Sequence, residues 1–524
     1  GSLTLLLLFI SVTIVIADLE LYKHWGFRIN NTPLMYISSE AAGSINPGVL
    51  VILVTLIAVL LLFFTWGYYR WIHALIHQFQ PMEKKHMVTF LMITGALIIP
   101  IRSSFSVAPL NTGVVYFHKS LAFPNHAGIN PVWNFFKSLS MDDQHRYTNS
   151  FYPQPAANQI FDTLIQTRDD STSVLNNQRP NIILIILESF TAKIIEPLGG
   201  KRGVTPQLNA LVQEGILFDH FYSSGDRTDK GLVSILSGYP AQPRTSIIKF
   251  PEKTQTLPSL PRTLLAEGYH PSFMYGGDIG FANMESYLTN LGFLHITADD
   301  DFENSLDDSK WGIPDHYVFE RLKQECDTAR SPFFKTMLSL SSHEPFEVPM
   351  EPVYPGKDES SLFLNSCFYT DKSLGDFIAS ARKASWWDQT LIIITADHGH
   401  RFPDPNELKD KERFKIPMLW LGGALNTHAI RVPVLAGQTD IAATLLSQLN
   451  INSSAFTFSK NVFAKDVTHF ASYIFQNGYG FVSPSGEDVY DFDLNDYLKQ
   501  SADSLAKIRG KSYMQVLFDD FNNR

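Results

Sequence analysis

The sequence predicts an α/β domain built on a mostly parallel central sheet flanked by helices and preceded by transmembrane α-helices. Three observations carry that prediction. After Asn181, short and continuously apolar runs alternate with helix-like stretches, the pattern of strands buried on both faces. Ahead of them, Val49 to Tyr69 is an uncharged apolar run long enough to cross a hydrocarbon core at about 1.5 Å per residue. At 524 residues, 45% of them hydrophobic, the chain has room for both parts.

The apolar run Leu3 to Ala17 comes first and reads as a transmembrane helix shortened at its start. A secretory signal would show a basic start and a small-residue cleavage site, but Asp18-Leu19-Glu20 follows directly. Val49 to Tyr69 is the second span. Met87 to Ile101 is shorter and contains Gly95 and Pro100, yet its place beside the second span favours a further crossing. Arg70, Lys84 and Lys85 lie close to helix ends, whereas Lys23 and Arg28 between Asp18 and Pro47 are balanced by acids. The positive-inside bias places 70–85 in the cytoplasm and everything after Arg102 outside the bacterial cytoplasmic (inner) membrane. Residues 1–101 thus form the transmembrane part.

Residues 102–179 are rich in Asn, Pro, Ser and aromatics and read as an extracytoplasmic, interfacial linker. Within it Asn130–Leu139 sets Trp133, Phe135 and Phe136 beside Lys137, a segment suited to a lipid interface or to packing on a folded domain.

Residues 180–524 form the third region. Expected strands are 181–187, 271–275, 333–340, 390–396 and 416–422, with helices over 205–215 and 257–269. Net charge is −10, from 42 basic and 52 acidic residues, which argues against a nucleic-acid partner. Two cysteines exclude a zinc-ribbon or iron–sulfur scaffold, so a metal would need His, carboxylate or hydroxyl ligands.

In parallel sheets ligands bind beyond the carboxyl ends of strands. There the sequence places Glu188-Ser189, Ser341-Ser342-His343 and Asp397-His398-Gly399-His400. A carboxylate after one strand and an Asp-His pair after another supply hard and borderline donors for Mn²⁺, Mg²⁺ or Zn²⁺. Thr228, in the segment 223–231, stands before an apolar helical stretch, either as a plain N-cap or as a nucleophile, with Arg227 or Lys230 to neutralise a transferred phosphoryl group.

Taken together, Leu187-Glu188-Ser189, Arg227 to Gly231, Ser341 to Phe346 and Ala396 to His400 give a chain that resembles the lipoteichoic acid synthase and phosphoglycerol transferase family, within the alkaline phosphatase and sulfatase superfamily. The resemblance covers roughly Asn181 to Asn450 and implies an alkaline phosphatase-like fold. It also implies several transmembrane helices followed by an extracytoplasmic catalytic domain. It implies a single-metal site, usually manganese, at Glu188, Thr228, Asp397 and His398, with Thr228 as nucleophile. It further implies substrate contacts from His343, Asp278, Arg227, His400 and Arg401. The expected reaction moves a phospholipid head group, from phosphatidylglycerol, to an envelope glycan, polymer or lipid hydroxyl.

One departure stands out: where the family has an aromatic and an arginine after the Gly-Asp pair, this chain has Ala282 and Met284. A phosphoethanolamine transferase, or a phosphodiesterase or sulfatase-like hydrolase, is the alternative. No Cys/Ser-X-Pro-X-Arg segment exists for formylglycine formation. Cys326 and Cys367 lie in helix-like sequence, and their pairing is open.

Overall fold

The computed structural model describes residues 2–25, 28–30, 33, 47–76, 86–96, 115, 122–142 and 147–524, except 168–170, 304–305, 307–308, 408, 476–477 and 493. The chain divides into two compact units, Gly1–Arg146 and Tyr147–Arg524.

In the first unit, helices span Ser2–Trp25 and Pro47–Gly67, the latter continuing through a π turn at Tyr68–Ile72. Both are long and apolar enough to cross a membrane by length and composition. The first helix runs past Asp18 and Glu20 rather than ending at Ala17. It tolerates Asp18 because that buried carboxylate accepts from Arg28 at 2.5 Å and from the Ile29 amide at 2.7 Å. Met87–Ala96 is helical; 97–101 and the lysines at 84 and 85 lie outside the described residues. The aromatic segment forms the helix Pro131–Asp142, capped by Asn130 Oδ1 and packed on the first helix.

The second unit is built on eight strands: β1 Asn181–Leu187, β2 Ile216–Tyr222, β3 His270–Tyr275, β4 His295–Thr297, β5 Phe333–Leu338, β6 Thr390–Ala396, β7 Met418–Leu421 and β8 Ile430–Gly437. They are ordered β4-β3-β5-β1-β6-β7-β2-β8, and every neighbouring pair is parallel except those made by β7. Among the described residues the connection from β6 to β7 carries one short helical turn, Lys411–Arg413, and no crossover helix to return the chain to the opposite edge. The central strands β1 and β6 are buried at every position, as expected of Ile- and Leu-rich runs covered on both faces.

The expected helices form over shorter stretches, Pro206–Leu211 and Leu260–Ala266. Cys326 and Cys367 are both free and buried, in the helices Asp315–Thr328 and Glu359–Ala381.

Beyond β8 the chain adds an antiparallel sheet, β9 Ala471–Phe475, β10 Gly478–Ser483, β11 Gly486–Asp491 and β12 Asp496–Lys499, backed by the helix Ser504–Asn523. That helix also pins the start of the unit. Asn522 Oδ1 accepts from the Tyr147 amide at 3.1 Å, Gln515 Oε1 accepts from the Phe151 and Tyr152 amides, and Tyr147 stacks on Phe518 with centroids 4.2 Å apart.

Candidate active site

Because β1, β2, β3, β5 and β6 run in one direction, their carboxyl ends lie along one edge of the sheet. Glu188 follows β1 and Asp397-His398 follow β6, and the register of these adjacent strands sets Leu187 opposite Ala396. One ligand atom from each of Glu188, Asp397 and His398 lies within 4.8 Å of the others, and all three residues are buried. His398 Nε2 is 3.6 Å from Glu188 Oε1 and 3.4 Å from Asp397 Oδ2.

The surrounding hydrogen bonds orient this trio. Asp397 Oδ1 accepts from the amides of Ser189 at 2.8 Å and His398 at 2.7 Å. Ser189 takes the left-handed conformation with φ of 59°, turning the chain sharply after Glu188 while its hydroxyl donates to Glu188 Oε1 at 2.8 Å. Ser342 Oγ donates to the Glu188 carbonyl at 2.6 Å, tying the segment after β5 to the same corner. In neutral His398, Nδ1 donates to the Gly399 carbonyl at 2.8 Å, which leaves the Nε2 lone pair toward the carboxylates.

These residues fit a divalent cation. Asp397 Oδ2 is buried with no hydrogen-bond partner, and burial, with the adjacent Asp397 charge, pushes the Glu188 carboxyl well above the usual carboxylate range. Two dry carboxylates facing each other and an imidazole lone pair are a donor set that a cation would complete.

Thr228 joins the cluster. It is the first residue of the helix Thr228–Ser237, with Arg227 at the cap position, so its hydroxyl does not cap the helix. Instead Oγ1 donates to Glu188 Oε2 at 3.2 Å. The helix packs close to β6 through Gly231, and Lys230 is held by Asp226 at 3.2 Å.

The expected substrate contacts fall into two groups. His343 follows β5 and His400 follows Asp397-His398 after β6, so both lie at the same carboxyl ends of the sheet. Burial pushes the His343 ring below the usual histidine range, and in its neutral form Nδ1 donates to the Glu344 carbonyl at 2.8 Å, leaving Nε2 free. His400 stacks on Phe363 at 4.3 Å and lies against Phe346 and Phe402; burial first, then nearby cations, drive it down to about 2. Its Nδ1 accepts from the Phe402 amide at 3.2 Å, so the neutral ring carries its proton on Nε2.

Arg401 bridges Glu344 at 3.3 Å and Glu359 at 3.0 Å. Arg227 is exposed. Asp278 sits on an exposed turn after β3, accepting from the Gly280 amide at 2.8 Å. Trp311 lies edge-on to both Phe281 at 5.9 Å and His343 at 4.6 Å.

Comparison with known proteins agrees with this architecture: the Sulfatase family model matches residues 180–451. The chain belongs to the sulfatase family. Within that family it is 24% identical over 323 residues to the lipoteichoic acid synthase-like YvgJ of Bacillus subtilis, covering 57% of this chain and 52% of that protein. The chain spans about half the length of the curated relatives it matches first.

Two solved structures share the fold of this sulfatase-family chain. One is a protein in the alkaline phosphatase superfamily from Vibrio parahaemolyticus, with a TM-score of 0.62, 23% identity and coverage of 71% of this chain and 97% of that one. The other is the lipoteichoic acid synthase LtaP from Listeria monocytogenes, with a TM-score of 0.59, 18% identity and coverage of 71% and 98%. The fold is alkaline phosphatase-like, as the sequence predicts.

Proposed function

We propose that the chain is a membrane-anchored, metal-dependent phosphoglycerol transferase, moving the head group of phosphatidylglycerol through a phospho-threonine on Thr228 to a hydroxyl of an envelope glycan, polymer or lipid. The observation that carries this reading is the hydrogen bond from Thr228 Oγ1 to Glu188 Oε2, which sets an alcohol beside the carboxylate and imidazole cluster. Similarity to a lipoteichoic acid synthase-like protein supports phosphoglycerol as the group moved. The two apolar helices support anchoring in a membrane, and the basic residues Arg70, Lys84 and Lys85 between the later apolar runs support the bacterial cytoplasmic (inner) membrane with residues 180–524 on its outer side.

Glu188, Asp397 and His398, with Thr228, would hold the metal, Mn²⁺ by resemblance, with Mg²⁺ or Zn²⁺ suited to the same donors. When bound, such an ion lowers the pKa of the threonine hydroxyl and offsets charge on phosphoryl oxygens.

In the first half-reaction Thr228 Oγ1 bonds to phosphorus and the ester bond to the diacylglycerol oxygen breaks. The threonine proton, accepted first at Glu188 Oε2, ends on that departing oxygen. In the second, the acceptor hydroxyl gives its proton to the free Nε2 of His343 and its oxygen bonds to phosphorus. The Thr228–phosphorus bond breaks, and the proton held by His343 passes on to Oγ1, so that both groups return to their starting states. His400 offers a fixed Nε2–H, while Arg227, Arg401 and Asp278 contact the polar head.

The test is to incubate the membrane-inserted chain and its Thr228→Ala variant with Mn²⁺ and head-group-labelled phosphatidylglycerol. Label on the protein that depends on Thr228, together with diacylglycerol release, is expected. Label from phosphatidylethanolamine alone overturns the head group. Free glycerophosphate released while acceptor is plentiful makes the chain a hydrolase.

A further inference from the structure

Arg413 lies outside the motifs that point to the site, yet it is fixed between two of its parts. Its carbonyl faces Gly399, where a Cβ would come within 2.0 Å of the oxygen. The next carbonyl, that of Phe414, accepts from the Ser223 amide at 2.7 Å and from Ser223 Oγ at 3.3 Å. The Phe414 ring is stacked on Tyr473 at 4.2 Å in a buried cluster. Gly399 follows the candidate ligands Asp397 and His398, and Ser223 opens the turn that ends at Thr228. The backbone of Arg413 is therefore immobilised between the metal loop and the nucleophile turn.

Its side chain is only partly compensated. Arg413 is half-buried, and its Nε is buried with no hydrogen-bond partner. Among the described residues no carboxylate lies within ion-pairing distance of the guanidinium. Asp226, whose charge bears on it, is already held by Lys230. Cations that bear on it include Arg401 and Arg227. Arg401 is neutralised by Glu344 and Glu359, whereas exposed Arg227, next to Thr228, makes no ion pair among the described residues. A partly desolvated cation with no ion-pair partner of its own is costly to keep unless a ligand supplies that partner.

We propose that Arg413 is an anion-binding residue of the active site that grips a substrate phosphate together with Arg227. The forked guanidinium suits two phosphate oxygens at once. The phosphate belongs either to the lipid head group or to a phosphorylated acceptor. The identity of this anion rests on the phosphotransfer reading above; the need for an anion rests on Arg413 itself.

The experiment uses the full chain in detergent with metal chelated, so that no turnover occurs. Binding of inorganic phosphate, and separately of short-chain phosphatidylglycerol, is followed by thermal shift for the wild type and Arg413→Gln. Without ligand, Arg413→Gln is expected to melt no lower than wild type, because an unpaired cation has been removed. Its affinity for phosphate is expected to fall about 10- to 100-fold.

Loss toward both ligands supports a grip on phosphate itself, and loss toward the lipid alone supports the head group as its source. Unchanged affinity for both overturns the proposal, as does a wild type that responds to neither. If Arg413→Gln does not fold, Arg413→Lys keeps the charge but not the fork, and wild-type affinity in that variant overturns the proposal. Since binding is read without catalysis, failure here is separable from failure of Thr228 labelling.

Discussion

The carbonyl oxygen of Asp397 occupies the space where a side chain on Gly231 would begin: a Cβ built there would lie 2.0 Å away. Backbone stands against backbone, so neither partner can swing aside. Gly231→Ala is expected to push the Thr228 helix off β6 and to cost about 1–3 kcal/mol of stability, with transfer activity lost. Urea unfolding beside a head-group release assay checks both. Wild-type activity in the alanine variant would show that the close approach is dispensable.

Gln438 holds the other side of Asp397. Its Nε2 donates to the carbonyls of Ala396 at 2.8 Å and Asp397 at 2.6 Å, while its Oε1 accepts from the Ser224 amide at 2.9 Å. It thereby ties the metal-side strand to the turn leading to Thr228. Gln438→Ala strands buried carbonyls and is expected to cost about 1–3 kcal/mol and to weaken Mn²⁺ binding about 10- to 100-fold. Calorimetric titration with Mn²⁺ measures the second effect, and an unchanged affinity would remove Gln438 from the site's support.

Thr228→Ala is expected to lower transfer by about 10⁴-fold or more, while Thr228→Ser, which keeps a hydroxyl, retains much of the activity. Rates from labelled lipid decide this. Equal loss in both variants would point to a role for the threonine methyl group instead of its oxygen.

Burial first, and then the Asp278 charge, pushes Glu285 up to about 7. A carboxyl raised in the folded state contributes stability that is full below its unfolded pKa, about 4.3, and is lost as pH rises through the folded value. The melting temperature is expected to fall as pH rises toward about 7, and Glu285→Gln flattens that slope. Asp278→Asn removes the lesser cause and shifts the midpoint down only slightly. A slope that survives Glu285→Gln would assign it to another group.

Cys326 and Cys367 are free and buried, and burial pushes the Cys326 thiol up to about 12 and the Cys367 thiol well above its usual range. Neither is expected to react with a maleimide until the chain unfolds, and reductant leaves the melting temperature unchanged. Labelling of native protein within minutes would contradict this.

Much of the site was legible in the sequence because parallel strands leave their chemistry at one end. Glu188 and Asp397 each follow a run with no polar interruption, NIILIIL and TLIIITA, and adjacent register brings them together. Strand β2 was not legible, since Asp219 and His220 interrupt ILFDHFY; nor was the edge strand β8, which carries Arg431 and Pro433. The half-polar antiparallel strands β9 to β12 lack any long apolar run. Contacts between distant segments escape any local pattern. The aromatic wall around His400 comes from Phe346 and Phe363, and Arg413 sits before IPMLW as an ordinary basic lead-in to a strand.

The clasp between Tyr147 and Asn522 also has a mechanical meaning. The polypeptide enters the catalytic unit already fastened, through Tyr147, Phe151 and Tyr152, to the helix that closes it. Force applied to the chain at Tyr147 therefore falls first on these amide hydrogen bonds and stacked rings. None of these contacts involves Glu188, Asp397 or Thr228, so the start of the unit is fastened independently of the candidate site.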